Sequence, residues 1–231
     1  MTAKGDLPPP GLLIGTRGWE HAAWTPEFYP EALPLEWRLT FYANYFDSVL
    51  VPPACWLLSD LQVLDQWLED TGDEFRFVLE LPDDHDRHQE NIACRTEILG
   101  ARIAALVVPY AKGDTVSVIG RFSRWPLSVR VPRGLAESER AVLTSAGASI
   151  LWDPAHTQDP VPGGQLLVIA LSAPDDHVIA ITAQSLARMR ADFPRVAFFV
   201  DGPPSMGEKA RAAATLLGLW PPDTRHVEQA T

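Results

Sequence analysis

Short apolar runs alternate along most of this chain with segments whose apolar residues recur every three or four positions. The runs are Leu12–Thr16, Ser48–Val51, Phe75–Leu79, Ile103–Val108, Leu127–Val131, Ser149–Trp152, Leu166–Leu171 and Arg195–Val200. Each has the length of a strand, and several are apolar on consecutive positions, as strands covered on both faces must be. Between them, Leu35, Leu39, Tyr42, Ala43 and Phe46 share one helical face within Leu35–Phe46. Ser59-Asp60-Leu61-Gln62 reads as a capping box ahead of a helix carrying Leu61, Leu64 and Leu68. Leu186, Met189 and Phe193 form a third stripe, and Ser205-Met206-Gly207-Glu208 reads as a second capping box before Ala210–Leu217. Lys112–Trp125 and Asp153–Gly164 carry no clear period and read as long loops or poorly formed helices. Alternating strands and helices predict a parallel sheet of repeated βα units, and eight strands are the number a closed barrel requires. The expected domains are a disordered lead-in at 1–10, one barrel at 11–220 and a tail at 221–231.

Charge narrows the function classes. The net charge is −11, from 19 basic and 30 acidic residues, and no Lys/Arg run is present. A nucleic-acid partner calls for a basic face that neutralises phosphates, so nucleic acid is not expected, nor is an anionic membrane surface. Arg121, Arg124, Arg130 and Arg133 leave room for a local basic patch. Cys55 and Cys94 make neither a disulfide framework nor a zinc motif and read as buried, inert thiols. With no apolar leader and no window long enough to span a bilayer, the reading is cytoplasmic.

The order of motifs carries a resemblance. Gly15-Thr16-Arg17-Gly18-Trp19 closes the first strand; Phe28-Tyr29-Pro30-Glu31 and the helix before Ser48 follow. This resembles the YecE-like family (domain of unknown function 72), whose members are α/β barrels. The resemblance implies a TIM-like (β/α) barrel of one domain, with any site at the carboxyl ends of the strands. It implies no reaction, because the family has no established one. The family's Gly-x-Ser-Gly-Trp becomes Gly15-Thr16-Arg17-Gly18-Trp19. Its Glu-x-Asn-x-Thr-Phe-Tyr meets Leu50, Pro52, Ala54, Cys55 and Trp56, so the acid and the amide are replaced. Lys-x-Pro becomes Glu80-Leu81-Pro82, a charge reversal, with His85 or His88 standing in for the histidine that follows. Val107-Val108-Pro109-Tyr110 keeps one proline of the fourth-strand motif, and Ser128-Val129-Arg130-Val131-Pro132 keeps the Arg and the Pro of the fifth. Ala170-Leu171-Ser172-Ala173 and Val200-Asp201-Gly202 lack the His and amide residues of the seventh and eighth.

Candidate chemistry follows from those strand ends. Arg17, Trp19 and Arg130 form one group, with Glu80 as an internal partner; it reads either as an anion pocket walled by an aromatic ring or as an ion pair plugging the mouth. Trp56, with Trp19 and Trp24, is expected at the barrel mouth. His85 and His88, three apart among Asp83, Asp84 and Asp86, suit a metal by residue type, but the stronger reading is a solvated loop entering a helix. Asp153, His156, Asp175, Asp176, His177 and Asp201 follow strands and offer acid–base groups, against the bland reading of ordinary polar loops. No phosphate-binding glycine loop or nucleophile elbow is present, and neither metal nor cofactor is expected. The reading is a divergent barrel with a remodelled, non-catalytic pocket for a small anionic ligand or a protein partner. The alternative is a hydrolase acting on a phosphate- or carboxylate-bearing substrate.

Overall fold

The structure is a computed structural model that describes residues 11–154, 160, 162–189, 191–193 and 195–219. The expected lead-in, the tail and His156 lie outside the described residues. The described residues form eight strands, β1 (Leu12–Thr16), β2 (Ser48–Val51), β3 (Arg76–Glu80), β4 (Ile103–Pro109), β5 (Leu127–Arg130), β6 (Ser149–Ile150), β7 (Leu167–Ser172) and β8 (Val196–Asp201). They fall on the eight apolar runs. Only β6 is markedly shorter than its run, and Trp152 reaches β7 through an isolated bridge to Ile169.

Every strand pair is parallel. One sheet has the order β1-β8-β7 and the other β2-β3-β4-β5-β6. Leu12 pairs with Val196 and Thr16 with Val200, so the first and last strands are neighbours. The sheets meet at two seams, each held by a single parallel bridge, Arg17 with Leu50 and Trp152 with Ile169. At the first, the Gly18 N–H donates to the Leu50 carbonyl at 2.8 Å; at the second, the Ala170 N–H donates to the Trp152 carbonyl at 3.1 Å. The resulting cyclic order is that of a TIM-like (β/α) barrel.

Alternation along the strands divides the apolar residues into an inner and an outer set. Leu50, Val78, Ala105, Val107, Val168, Ala197 and Phe199 belong to one cluster inside the ring. Residues of the opposite parity, such as Val49, Val51, Phe77 and Leu79 or Ile169, Leu171, Phe198 and Val200, pack beneath the helices in two further clusters. Continuing the inner parity to the carboxyl ends gives Arg17, Glu80, Arg130, Asp153, Ser172 and Asp201. The apolar barrel therefore ends in a polar ring.

The helices are α1 (Arg38–Ala43), α2 (Pro53–Leu57), α3 (Leu61–Asp70), α4 (Gln89–Leu99), α5 (Thr115–Arg121), α6 (Glu137–Ser145), α7 (Asp176–Arg188) and α8 (Pro204–Leu216). Among the described residues no helix lies between β6 and β7, and none is long and apolar enough to cross a membrane. Several local expectations are corrected. The segment Lys112–Trp125, expected as a long loop or a poorly formed helix, carries the short helix α5, on which Val118 and Ile119 are buried. Neither capping box forms. The Ser59 hydroxyl donates back to the Cys55 carbonyl at 2.6 Å, leaving Asp60 as N-cap, and α8 begins at Pro204, before Ser205 can cap it. Trp37, at the end of the 3-10 turn Leu35–Trp37, is exposed. Cys94 is exposed on α4, whereas Cys55 is half-buried and burial pushes its thiol upward.

Candidate functional site

The turn after β1 sets the mouth. Gly18 has φ +72°, a conformation that a side chain disfavours, and it turns the chain so that the His21 Nε2 lies 2.8 Å from the Arg17 carbonyl. Arg17 is thereby left as the last inward residue of its strand. Its Nε donates to Glu80 at 3.2 Å and its Nη2 at 2.7 Å, a forked pair on a carboxylate that is almost fully buried. Glu80 holds the Arg17 guanidinium above its ordinary pKa, against the opposing pull of burial, with a smaller push from Asp201. The Arg17 Nη1 lies 3.6 Å from Asp201.

Arg130 stands on the far side of Glu80 and holds it loosely. Its Nη1 is 3.9 Å from Glu80 and its Nη2 is 3.4 Å from Asp83, both longer than a good charge-assisted hydrogen bond. Arg130 and Glu80 together with Arg17, Arg133, Asp153 and Asp201 line a cavity of about 390 Å³ at the barrel mouth. Leu50, Leu151, Ala170 and Phe199 form its apolar lining, and Ser172 adds a hydroxyl. Ser172 and Asp201 are partners in the β7–β8 register. Beside them, Ala173 adopts φ 44°, which costs a non-glycine residue about 1–2 kcal/mol, and its N–H donates to the Asp201 carbonyl at 2.9 Å.

Five candidates from the sequence do not reach this cavity. Trp19 is buried under the outer layer, edge-on to Trp67 with ring centroids 4.9 Å apart. Trp56 is wholly buried, and its indole N–H donates to the Glu80 carbonyl at 3.0 Å; it fixes the end of β3 from outside rather than walling the mouth. Trp24 is likewise core. His85 is buried in the 3-10 turn His85–His88, with Nδ1 at 3.5 Å from Asp86, and the Nε2 of His88 lies 3.7 Å from Asp84. Neither histidine lines the mouth. Among the described residues no group of three or more His, Cys, Asp and Glu side chains is arranged to hold a metal.

Other polar candidates have local work. The Asp175 carboxylate accepts from the Val178 N–H at 2.8 Å and caps α7, while Asp176 pairs with Lys209. The supposed basic patch divides: Arg121 pairs with Asp86, Arg124 pairs with Glu97, and only Arg130 and Arg133 meet the cavity. The sequence reading did not single out Arg133 and Ser172 as site residues. Counting inward parity from Ala170 would have placed Ser172 at the mouth.

A family model described as protein of unknown function DUF72 matches residues 13–116. Over these residues the chain is similar to the DUF72 family. A DUF72 protein of Thermotoga maritima superposes with a TM-score of 0.67 at 13% identity, covering 90% of this chain and 99% of its own. One from Enterococcus faecalis V583 gives 0.67 at 12%, covering 90% and 98%. D-psicose 3-epimerase, solved in the presence of D-fructose, gives 0.52 at 10%, covering 80% and 93%. At these identities the likenesses show the fold alone. No curated protein matches the chain. The mouth cavity therefore has to be read from its own residues.

Proposed function

We propose that this protein is a small-molecule-binding barrel that holds an anionic ligand group at its mouth through Arg130, with Arg133 beside it. One observation carries the reading: Arg17, not Arg130, makes the close forked pair with buried Glu80, while Arg130 lines the cavity with only long contacts, 3.9 Å to Glu80 and 3.4 Å to Asp83, so its guanidinium can be drawn to a ligand. A planar guanidinium in that position suits two parallel hydrogen bonds to a carboxylate or phosphate. The volume of about 390 Å³ sits at the small end of the roughly 300–1,000 Å³ typical of ligand pockets.

The hydrolytic alternative has an observation of its own, because Glu80, Asp153 and Asp201 line the same cavity as Arg130. Glu80 is poorly suited to proton transfer while Arg17 grips it, and no described histidine lines the cavity. Binding without turnover is therefore the preferred reading. A thermal-shift screen with small carboxylates, phosphate esters and inorganic phosphate tests it. Stabilisation by a carboxylate or phosphate is expected for the unaltered protein and absent from Arg130→Ala, whose own melting temperature stays near the parent's. An undiminished response in Arg130→Ala would refute the assignment. Turnover of a nitrophenyl ester or phosphate that disappears in Asp201→Asn would favour the hydrolase.

A further inference from the structure

The mouth cavity holds two arginines on one side and a hydroxyl and a carboxylate on another, with Arg17, Glu80 and Asp153 also in its lining. Arg130 ends β5 and Arg133 follows it; Ser172 ends β7 and Asp201 ends β8. In the cyclic order β5 and β8 are three strands apart, so the cationic and anionic groups face each other across most of the mouth. Leu50, Leu151, Ala170 and Phe199 supply the apolar lining between them. Asp201 has acceptor capacity to spare: its nearest cation is 3.6 Å away on an arginine whose fork is spent on Glu80, and its side chain is 41% exposed.

Resting on the anion-pocket reading, we infer that the ligand is a small zwitterion of amino-acid type. Its carboxylate sits on Arg130 and Arg133, its ammonium sits on Asp201 and Ser172, and a compact apolar side chain covers the lining around Phe199. A ligand with an anion alone would desolvate Asp201 and leave it only the long contact to Arg17, which is unfavourable. A ligand carrying both charges satisfies both walls, and its side chain replaces water on the apolar surface.

The test compares matched probes on the full chain by calorimetry and thermal shift. L-leucine is set against 4-methylpentanoate and 3-methylbutylamine, and L-phenylalanine against 3-phenylpropanoate and 2-phenylethylamine; each analogue lacks one charge and keeps the apolar body. At least one amino acid is expected to bind about tenfold or more tightly than both of its analogues. Asp201→Asn should remove that advantage over the carboxylate analogue, whose own binding tightens once the carboxylate it would desolvate is gone, and Arg130→Ala should weaken both. Equal binding of an amino acid and its carboxylate analogue would overturn the dipolar inference and leave the anion pocket standing. Binding of the amines alone, or of none of the six probes, would overturn both.

Discussion

Glu80 is shared unequally between two guanidinium groups, and the difference divides their roles. Arg17 meets it with two hydrogen bonds, the shorter at 2.7 Å, whereas Arg130 approaches no closer than 3.9 Å. Glu80 is buried and Arg17 is about one-third exposed, so their pair lies between the about 0–1 kcal/mol of surface pairs and the about 3–5 kcal/mol lost on breaking buried ones. Arg17→Ala is expected to destabilise the protein by about 2 kcal/mol. Arg130→Ala should cost less than about 1 kcal/mol, because its contacts are long and exposed. Urea midpoints of the two variants check this, and a larger loss in Arg130→Ala would mean that Arg130 is the structural partner. The sequence placed Arg17, Glu80 and Arg130 at strand ends, and inward parity was enough for that. It could not say which arginine takes the carboxylate, because that depends on how a flexible side chain crosses the ring. Trp19 and Trp56 show the converse: following a strand end in sequence does not make a residue point inward, and both turn outward beneath the helices.

At the scale of elements, a helix completes a seam that the strands leave unfinished. β1 and β2 share only the Arg17–Leu50 bridge. Below it, the hydroxyl of Tyr42 on α1 enters the gap, accepts from the Thr16 N–H at 2.9 Å and donates to the Ser48 carbonyl at 3.0 Å. Gly15 leaves room for it: a Cβ there would lie 1.9 Å from the Ser48 carbonyl oxygen and 2.9 Å from the Tyr42 hydroxyl. Tyr42→Phe strands two buried backbone groups and is expected to cost about 2–3 kcal/mol. It also predicts a pH effect. Burial raises the Tyr42 phenol above its ordinary pKa of 10.0, so the folded state favours the protonated form. The stability that Tyr42 contributes is thus complete below pH 10 and falls as pH rises above it toward the raised value. Melting curves from pH 9 to pH 11 should fall less steeply for Tyr42→Phe than for the parent, and parallel curves would show that the pKa of this phenol does not differ between the folded and unfolded states. The strands were legible because continuous apolar runs force burial on both faces. Helix starts were not: Ser59 and Ser205 fit a capping pattern, but a competing acceptor took one and proline set the start before the other.

For the whole molecule, the barrel was foreseeable from eight runs and their spacing, while the ligand was not, because it depends on which charges remain after internal pairing. The same accounting bears on nucleic acid. The net charge is −11, and the arginines that cluster in sequence are dispersed in space, with Arg121 and Arg124 spent on Asp86 and Glu97. Duplex binding of useful strength needs about 6–10 phosphate contacts, each adding to a steep salt dependence. The mouth offers Arg130 and Arg133 amid Asp83, Asp153 and Asp201, so an approaching phosphate backbone meets nearby repulsion as well as attraction. Fluorescence anisotropy with a labelled short duplex, read at about 50 mM and about 200 mM salt, is therefore expected to show no saturable binding at micromolar protein. Nanomolar binding that weakens strongly between those salt concentrations would require a basic surface that the paired arginines do not provide, and would displace the small-molecule reading of the mouth.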